Sequence, residues 1–152
     1  MSSQSYQLHN EGLNTDVAKF APDILDKMKK FRFRKEKNNA AIIFKLDMET
    51  MDVQIEDEIE DIDDVEELQN ELPHLQPRFI MYSCKYERSD GRVQYPLVLL
   101  FVSPGGGAPK QMMAYSGSRN QFRDLSKISK VFDLRDLEDL TQEWLDEKLK
   151  NF

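Results

Sequence analysis

RFIMYSCKYE (78–87) and RVQYPLVLLFV (92–102) limit what this chain can fold into more than any other feature. Both runs are rich in β-branched and aromatic residues, which favour strands. Arg88-Ser89-Asp90-Gly91 lies between them, and Asp-Gly in that position is a strong hairpin signal. A sheet containing this hairpin is therefore expected. Pro96 has no N–H to donate, so the second run should carry a bulge or an unpaired position there. Cys84, the one cysteine, lies within the first run, where a buried small hydrophobe is its expected role. The longest apolar stretch, Pro96 to Val102, is far too short to cross a bilayer. The N-terminal MSSQSYQLHNEG has no apolar signal core. The expected class is a soluble intracellular globular domain.

The remaining elements follow from periodicity. Pro22 suits a first helical turn, and Ile24, Leu25, Met28 and Phe31 recur at helical spacing, which predicts a helix over 22–32. AAIIFKLDM (40–48) reads as a strand. Met51, Val53 and Ile55 alternate in a second strand, joined to it through Asp47 to Thr50. Val65 and Leu68, with Asp63 or Asp64 as cap, predict a short acidic helix that Pro73 ends. SPGGGAP (103–109) reads as a flexible break. A long helix over 109–127 carries Met112, Tyr115, Phe122 and Leu125 on one side, with Gly117 inside it. KVFDLR (130–135) predicts a last strand. A final helix over 140–150 has Leu140, Trp144, Leu145 and Leu149 on its apolar face. This order, α-β-β-α-β-β-α-β-α, is best served by a mixed sheet with helices on both faces. Residues 1–14 read as a loose tail and 15–152 as one domain.

Charge is unevenly distributed. Residues 47–71 hold 13 acids and no base, so a block of −13 sits inside a chain whose net charge is −7. KMKKFRFRKEK (27–37) holds seven of the 21 Lys and Arg residues. Basic residues interleaved with Phe31 and Phe33 would suit nucleic acid. However, Phe31 continues a core stripe, and the acidic block would repel a polyanion. The bases are expected either to border a protein-binding face or to balance the acidic block.

Sites for covalent chemistry are not evident. His9 and His74 have no ligand-spaced partners, so no metal site is expected. The Gly105-Gly106-Gly107 run lacks the continuation of a phosphate-binding loop. Asp61, Asp63 and Asp64 lack the central glycine of a calcium loop. Neither an enzyme nor a cofactor is expected. A more informative surface lies on the long helix, where Ser116, Arg119, Asn120, Arg123 and Lys127 fall at spacings that share one outward face. A rigid basic and polar ridge of this kind can enter a groove on a partner protein.

KKFRFRKEKNNAAIIFKLD (29–47), ELPHLQPRFIMYSCKY (71–86), DGRVQYPL (90–97), YSGSRN (115–120) and LTQEWLDEKL (140–149) together closely resemble the glia maturation factor family. The resemblance implies an actin-depolymerising-factor homology (ADF-H) fold: an α/β (α+β), cofilin-like architecture with a central mixed β-sheet sandwiched by α-helices. It also implies binding to the actin-related-protein 2/3 complex, inhibition of its actin nucleation and debranching of filament networks. A cofilin-like module that binds or severs actin is the alternative. The implied partners are that complex and the first actin subunit of a daughter filament, with no nucleic acid or membrane. The implied protein is a cytoplasmic monomer at branched-actin structures of the cell cortex.

Carried onto this chain, the long-helix contact set is Tyr115, Gly117, Ser118, Arg119 and Asn120, with Arg123 added by helical geometry. A second set comprises Asp90, Gly91 and Arg92 of the hairpin and Glu143 and Lys148 of the last helix. Trp144 is expected to be a core anchor. Three departures from the family pattern stand out: a longer tail, the glycine-rich lead-in to the long helix, and a heavier acidic block. Ser2 and Ser3 are candidate phosphosites, where added negative charge would weaken docking on an acidic partner.

Overall fold

In the computed structural model, residues 17–152 are described; the tail read at 1–14, with Ser2, Ser3 and His9, lies outside them. Helix α1 (Pro22–Arg32) leads into strands β1 (Asn39–Leu46) and β2 (Val53–Ile62), then the short helix α2 (Val65–Asn70). Strand β3 (Arg78–Ser83) and a small hairpin, β4 (Tyr86–Glu87) and β5 (Val93–Gln94), precede β6 (Leu97–Val102). Helix α3 (Pro109–Ser126), strand β7 (Lys130–Leu134), a 3-10 turn (Leu137–Asp139) and helix α4 (Gln142–Leu149) complete the chain. The main sheet has the order β2-β1-β3-β6-β7, and β4 and β5 pair separately. All neighbours in the main sheet are antiparallel except β6 and β7. That parallel pair requires a crossover, which α3 supplies. The structure therefore has the expected mixed sheet and helix order.

Alternation along the strands divides the apolar residues into two layers. Ala41, Ile43, Ile80, Tyr82, Val98, Leu100, Phe132 and Leu134 face α2 and α4, meeting Val65, Leu68, Leu145 and Leu149. Ile42, Phe44, Phe79, Met81, Leu99 and Phe101 face α1 and α3, meeting Ile24, Met28, Tyr115 and Phe122. All six residues of β3 are buried, because the strand has neighbours on both edges and helices on both faces.

The long runs break where their chemistry demands it. Pro96 separates β5 from β6, and its carbonyl accepts the Cys84 N–H at 3.1 Å. Cys84 is buried as expected, and burial pushes its thiol up to about 12. Gly91 adopts φ +91, the left-handed geometry that the tight hairpin end needs. Gly107 does more than loosen the chain. A Cβ there would stand 3.0 Å from the Leu75 carbonyl oxygen, so the glycine permits a close backbone approach.

Strand β2 runs seven residues beyond Ile55 and takes up five of the 13 acids of the acidic block. The β1–β2 register slips so that Ile43 pairs with Asp57 while Phe44 pairs with Ile55, leaving Glu56 as the extra residue of a bulge. Beyond the bulge the strand changes which residues it turns inward. Ile55 packs on the α1/α3 layer, whereas Ile59 and Ile62 pack on the α2/α4 layer. Glu56 itself holds Arg78, the buried cation that opens β3, through contacts of 2.9 and 3.1 Å.

Three expectations need correction. Leu125 is exposed on the flank of α3, because Ser126 takes the inward position in the last turn. Trp144 is half-buried, packed edge-on against Phe132 at 6.2 Å, rather than a fully enclosed anchor. The final helix starts at Gln142, capped by the Thr141 hydroxyl, so Leu140 is buried just ahead of it.

Two buried phenols separate packing from hydrogen bonding. The Tyr115 hydroxyl accepts the Leu46 N–H at 2.8 Å, whereas the Tyr82 hydroxyl has no hydrogen-bond partner among the described residues. Tyr115→Phe should therefore cost about 1–3 kcal/mol by orphaning a buried N–H, and Tyr82→Phe should be neutral or stabilising. Thermal unfolding of both variants checks this, and equal losses would contradict it. The Arg78 contact lowers the Glu56 pKa below its ordinary 4.5, so the charged carboxylate favours the fold. Glu56→Gln should cost about 1 kcal/mol at neutral pH, because water screens this partly exposed carboxylate. That difference should be complete above pH 4.5 and vanish as pH falls through the lowered pKa. Urea titrations across that range would reveal it.

Candidate functional site

Helix α3 is fixed before it meets any partner. Pro109 starts it at the position where a missing N–H costs nothing, and Lys127 ends it at φ +59 with its N–H bonded to the Arg123 carbonyl. Its inner side enters an aromatic cluster. Phe79 stacks on Phe122 at 3.9 Å between ring centres, on Phe101 at 4.6 Å and on Tyr115 at 5.8 Å. Phe20 and Phe44 meet Phe122 edge-on at 4.8 and 5.6 Å. Polar ties hold the helix from the sides: Gln121 Nε2 donates to the Ala18 carbonyl, and an Arg32 nitrogen donates to that of Ser126.

The structure divides the expected contact set on α3. Tyr115 and Ser118 point inward; the Tyr115 hydroxyl accepts the Leu46 N–H, and the Ser118 hydroxyl donates to the Ala114 carbonyl. Their side chains therefore serve the fold instead of offering contact atoms. Gly117, Asn120 and Arg123 lie on the exposed side. Arg119 sits at the flank, where it forks onto Asp133 of β7 at 2.6 and 2.7 Å. This paired arrangement raises the already high pKa of the guanidinium and fixes its direction. Arg123 contacts Asp124 at 3.1 Å.

Sequence spacing placed the outward face too far to one side. Its centre is the row Met113, Gly117, Asn120 and Asp124, opposite Phe122. The basic residues alone do not mark this row; a helical projection centred away from Phe122 places Met113 and Asp124 on it. Beside this row is an open hollow of about 510 Å³ lined by Val17, Met48, Met51, Met113, Ala114 and Gly117 among others. Gly117 has helical geometry, and a Cβ there would meet nothing within 4 Å. Neither backbone conformation nor internal packing requires a glycine at this point.

The second expected set lies across the sheet. At the hairpin end the Arg92 backbone N–H donates to the Asp90 carboxylate at 3.0 Å and the Arg92 guanidinium pairs with it at 2.7 Å, and together these hold the Asp90 carboxyl below the usual range. Glu143 and Lys148 are exposed on α4, with the Lys148 ammonium 5.8 Å from the centre of the Trp144 ring. Tyr86 of the hairpin and Trp144 of α4 pack on the same layer. These residues are thus on the opposite side of the sheet from α3. Glu138, Asp139 and Glu147 join Glu143 around a shallow hollow at Trp144, an acidic surface that the sequence reading did not single out.

The basic stretch 27–37 is partly consumed by the fold. Lys27 meets Glu58 of the acidic strand at 3.3 Å, and Lys30 pairs with Asp26. Arg34 donates to the Asn38 carbonyl and to the Ser83 hydroxyl. Phe31 is half-buried against the α1/α3 layer, while Phe33 is exposed. Among the described residues no group of three or more His, Cys, Asp and Glu is placed to hold a metal ion. No described helix is long and apolar enough to cross a membrane.

Comparison with known proteins agrees with this geometry. The family described as "Cofilin/tropomyosin-type actin-binding protein" matches residues 17–150. Human glia maturation factor beta is 52% identical over 136 residues, covering 90% of this chain and 95% of the relative. The glia maturation factor of Drosophila melanogaster is 36% identical, covering 90% and 99%. The solution structure of glia maturation factor from Caenorhabditis elegans superposes with a TM-score of 0.75 at 35% identity, over 88% of this chain and 96% of that one. With the family model matched over residues 17–150 and relatives 36–52% identical over nine-tenths of its length, the chain belongs to the glia maturation factor family, with the ADF-H fold.

Proposed function

We propose that the chain binds the actin-related-protein 2/3 complex, inhibits its nucleation of actin and promotes debranching of filament networks. Membership of this family makes it a regulator of the actin cytoskeleton that acts by binding and not an enzyme. The observation that carries the proposal is the presence of two presentable surfaces on opposite sides of one rigid sheet. The outward row of α3 meets a subunit of the complex, and the hairpin with α4 meets a neighbouring subunit or the first actin of the daughter filament. Holding both favours a state of the complex that retains the branch less well, and differential affinity for that state supplies the driving force. The site of action is the cytoplasm, at branched actin of the cell cortex, and the acting form is a monomer.

Watching branches on single labelled filaments tests the proposal: added protein should shorten branch lifetime and reduce new branching. Strong cosedimentation with bare filaments and no capture of the complex would favour a cofilin-like module instead.

Replacing Arg119 and Arg123 together by Ala should weaken capture of the complex roughly tenfold or more, as loss of one or two charged contacts does. Stability should fall by only about 0.5–1 kcal/mol, because the Arg119–Asp133 fork is partly exposed. A collapse in melting temperature would instead make these arginines structural. Gly117→Ala should produce effects of opposite sign. The helix should gain about 0.5–1 kcal/mol, while binding weakens because the added methyl stands where the partner approaches. Denaturation and capture measured on the same preparation test this, and unimpaired capture would remove Gly117 from the contact.

A further inference from the structure

The methionines of this chain differ sharply in shelter. Met28 and Met81 are completely enclosed, Met51 is buried, and Met48 and Met112 are half-buried. Met112 is tucked against the glycine-rich loop, with its Sδ 3.2 Å from where a Cβ on Gly107 would stand. Met113, its immediate neighbour, is 73% exposed. One turn further along α3 stands Gly117, which has no side chain to cover it. The thioether thus stands open to water at the centre of the outward row, beside a hollow of mixed lining in which Met48, Met51 and Ala114 alternate with Glu49, Lys110 and Gln121.

We propose that Met113 is an oxidation site that turns off docking through α3. The oxidant is a peroxide. A lone pair on the Met113 sulfur attacks one oxygen of hydrogen peroxide, an S–O bond forms and the O–O bond breaks. The sulfur gives up two electrons and becomes a sulfoxide. The departing hydroxide takes the proton from the transferred oxygen and leaves as water. A flexible apolar side chain becomes a polar one, with an acceptor oxygen that needs a hydrogen bond. On docking, that oxygen meets a partner surface that had received an apolar thioether, and it gives up hydration there, which disfavours the bound state. Methionine sulfoxide reductases reverse the change, which makes the site a switch.

The inference rests on α3 being the docking helix, and the experiment separates the two claims. The full chain is treated with dilute hydrogen peroxide and sampled over time. Peptide fragmentation then assigns the added oxygen to each methionine, and capture of the actin-related-protein 2/3 complex is measured on the same samples. Met113 should gain oxygen before Met48 and Met112, and well before Met28, Met51 and Met81. Affinity should fall about tenfold, the scale expected when one polar group is buried unpaired, and reductase should restore it. Met113→Leu, compared with itself before and after peroxide, should show a before-to-after ratio near one. Oxidation of Met113 no faster than of Met112, unchanged affinity after full conversion, or an equal peroxide-induced loss in Met113→Leu would each overturn the proposal. Failure of the untreated protein to capture the complex would remove the docking reading, and the switch with it, before any peroxide is added.

Discussion

Strand β3 is the constraint on which the rest of the structure depends. Its six residues are all buried, since β1 and β6 flank it and helices cover both of its faces. Ile80 and Tyr82 give one layer its centre, and Phe79 and Met81 do the same for the other. A strand enclosed in this way must satisfy its backbone in the ladder and its side chains by alternation. Shifting it by one residue would exchange the two layers. Even the charge at its first residue is absorbed, by Glu56 at the bulge of β2.

From that strand the order passes outward to the surface proposed for docking. Phe79 carries the aromatic stack that receives Phe122 and Tyr115, and the Tyr115 hydroxyl then binds β1 at Leu46. Helix α3 is thereby held by packing on its inner side and by polar ties at its flanks. Its outward row consequently presents a preformed shape, and little ordering is required when a partner arrives. The same feature explains why residues carried over as contacts divide into two kinds. Tyr115 and Ser118 build the platform, while Gly117, Asn120 and Arg123 lie on it.

Electrostatics follow the same logic of fixed elements. The acidic block does not form a separate tail. It is divided among the turn before β2, helix α2 and the edge strand β2, where charge also discourages pairing with another chain. One of its carboxylates, Glu58, meets Lys27 of the basic stretch, which answers part of the charge asymmetry within the fold. Phe33 is left exposed beside Arg32, whose guanidinium carbon lies 5.5 Å from the centre of its ring.

The element order, the hairpin at Asp90-Gly91, the ends of α1 and α3 and the burial of Cys84 were legible in the sequence, because each depends on local chemistry. A proline sets the start of a helix, a glycine supplies a positive φ, and periodicity marks an apolar stripe. The family was legible for a related reason: its blocks are contiguous and keep their spacing. What the sequence alone did not fix was the direction of individual side chains. The length of β2 was hidden because its acids mask the alternation and a bulge at Glu56 reverses it. The inward turn of Tyr115 and Ser118, the flank position of Arg119 against Asp133 and the exposure of Met113 were decided only in three dimensions. The exact rotation of a helix about its axis is set by what packs beneath it, and here that is a set of aromatic rings from four separate parts of the chain, Phe20, Phe44, Phe79 and Phe101.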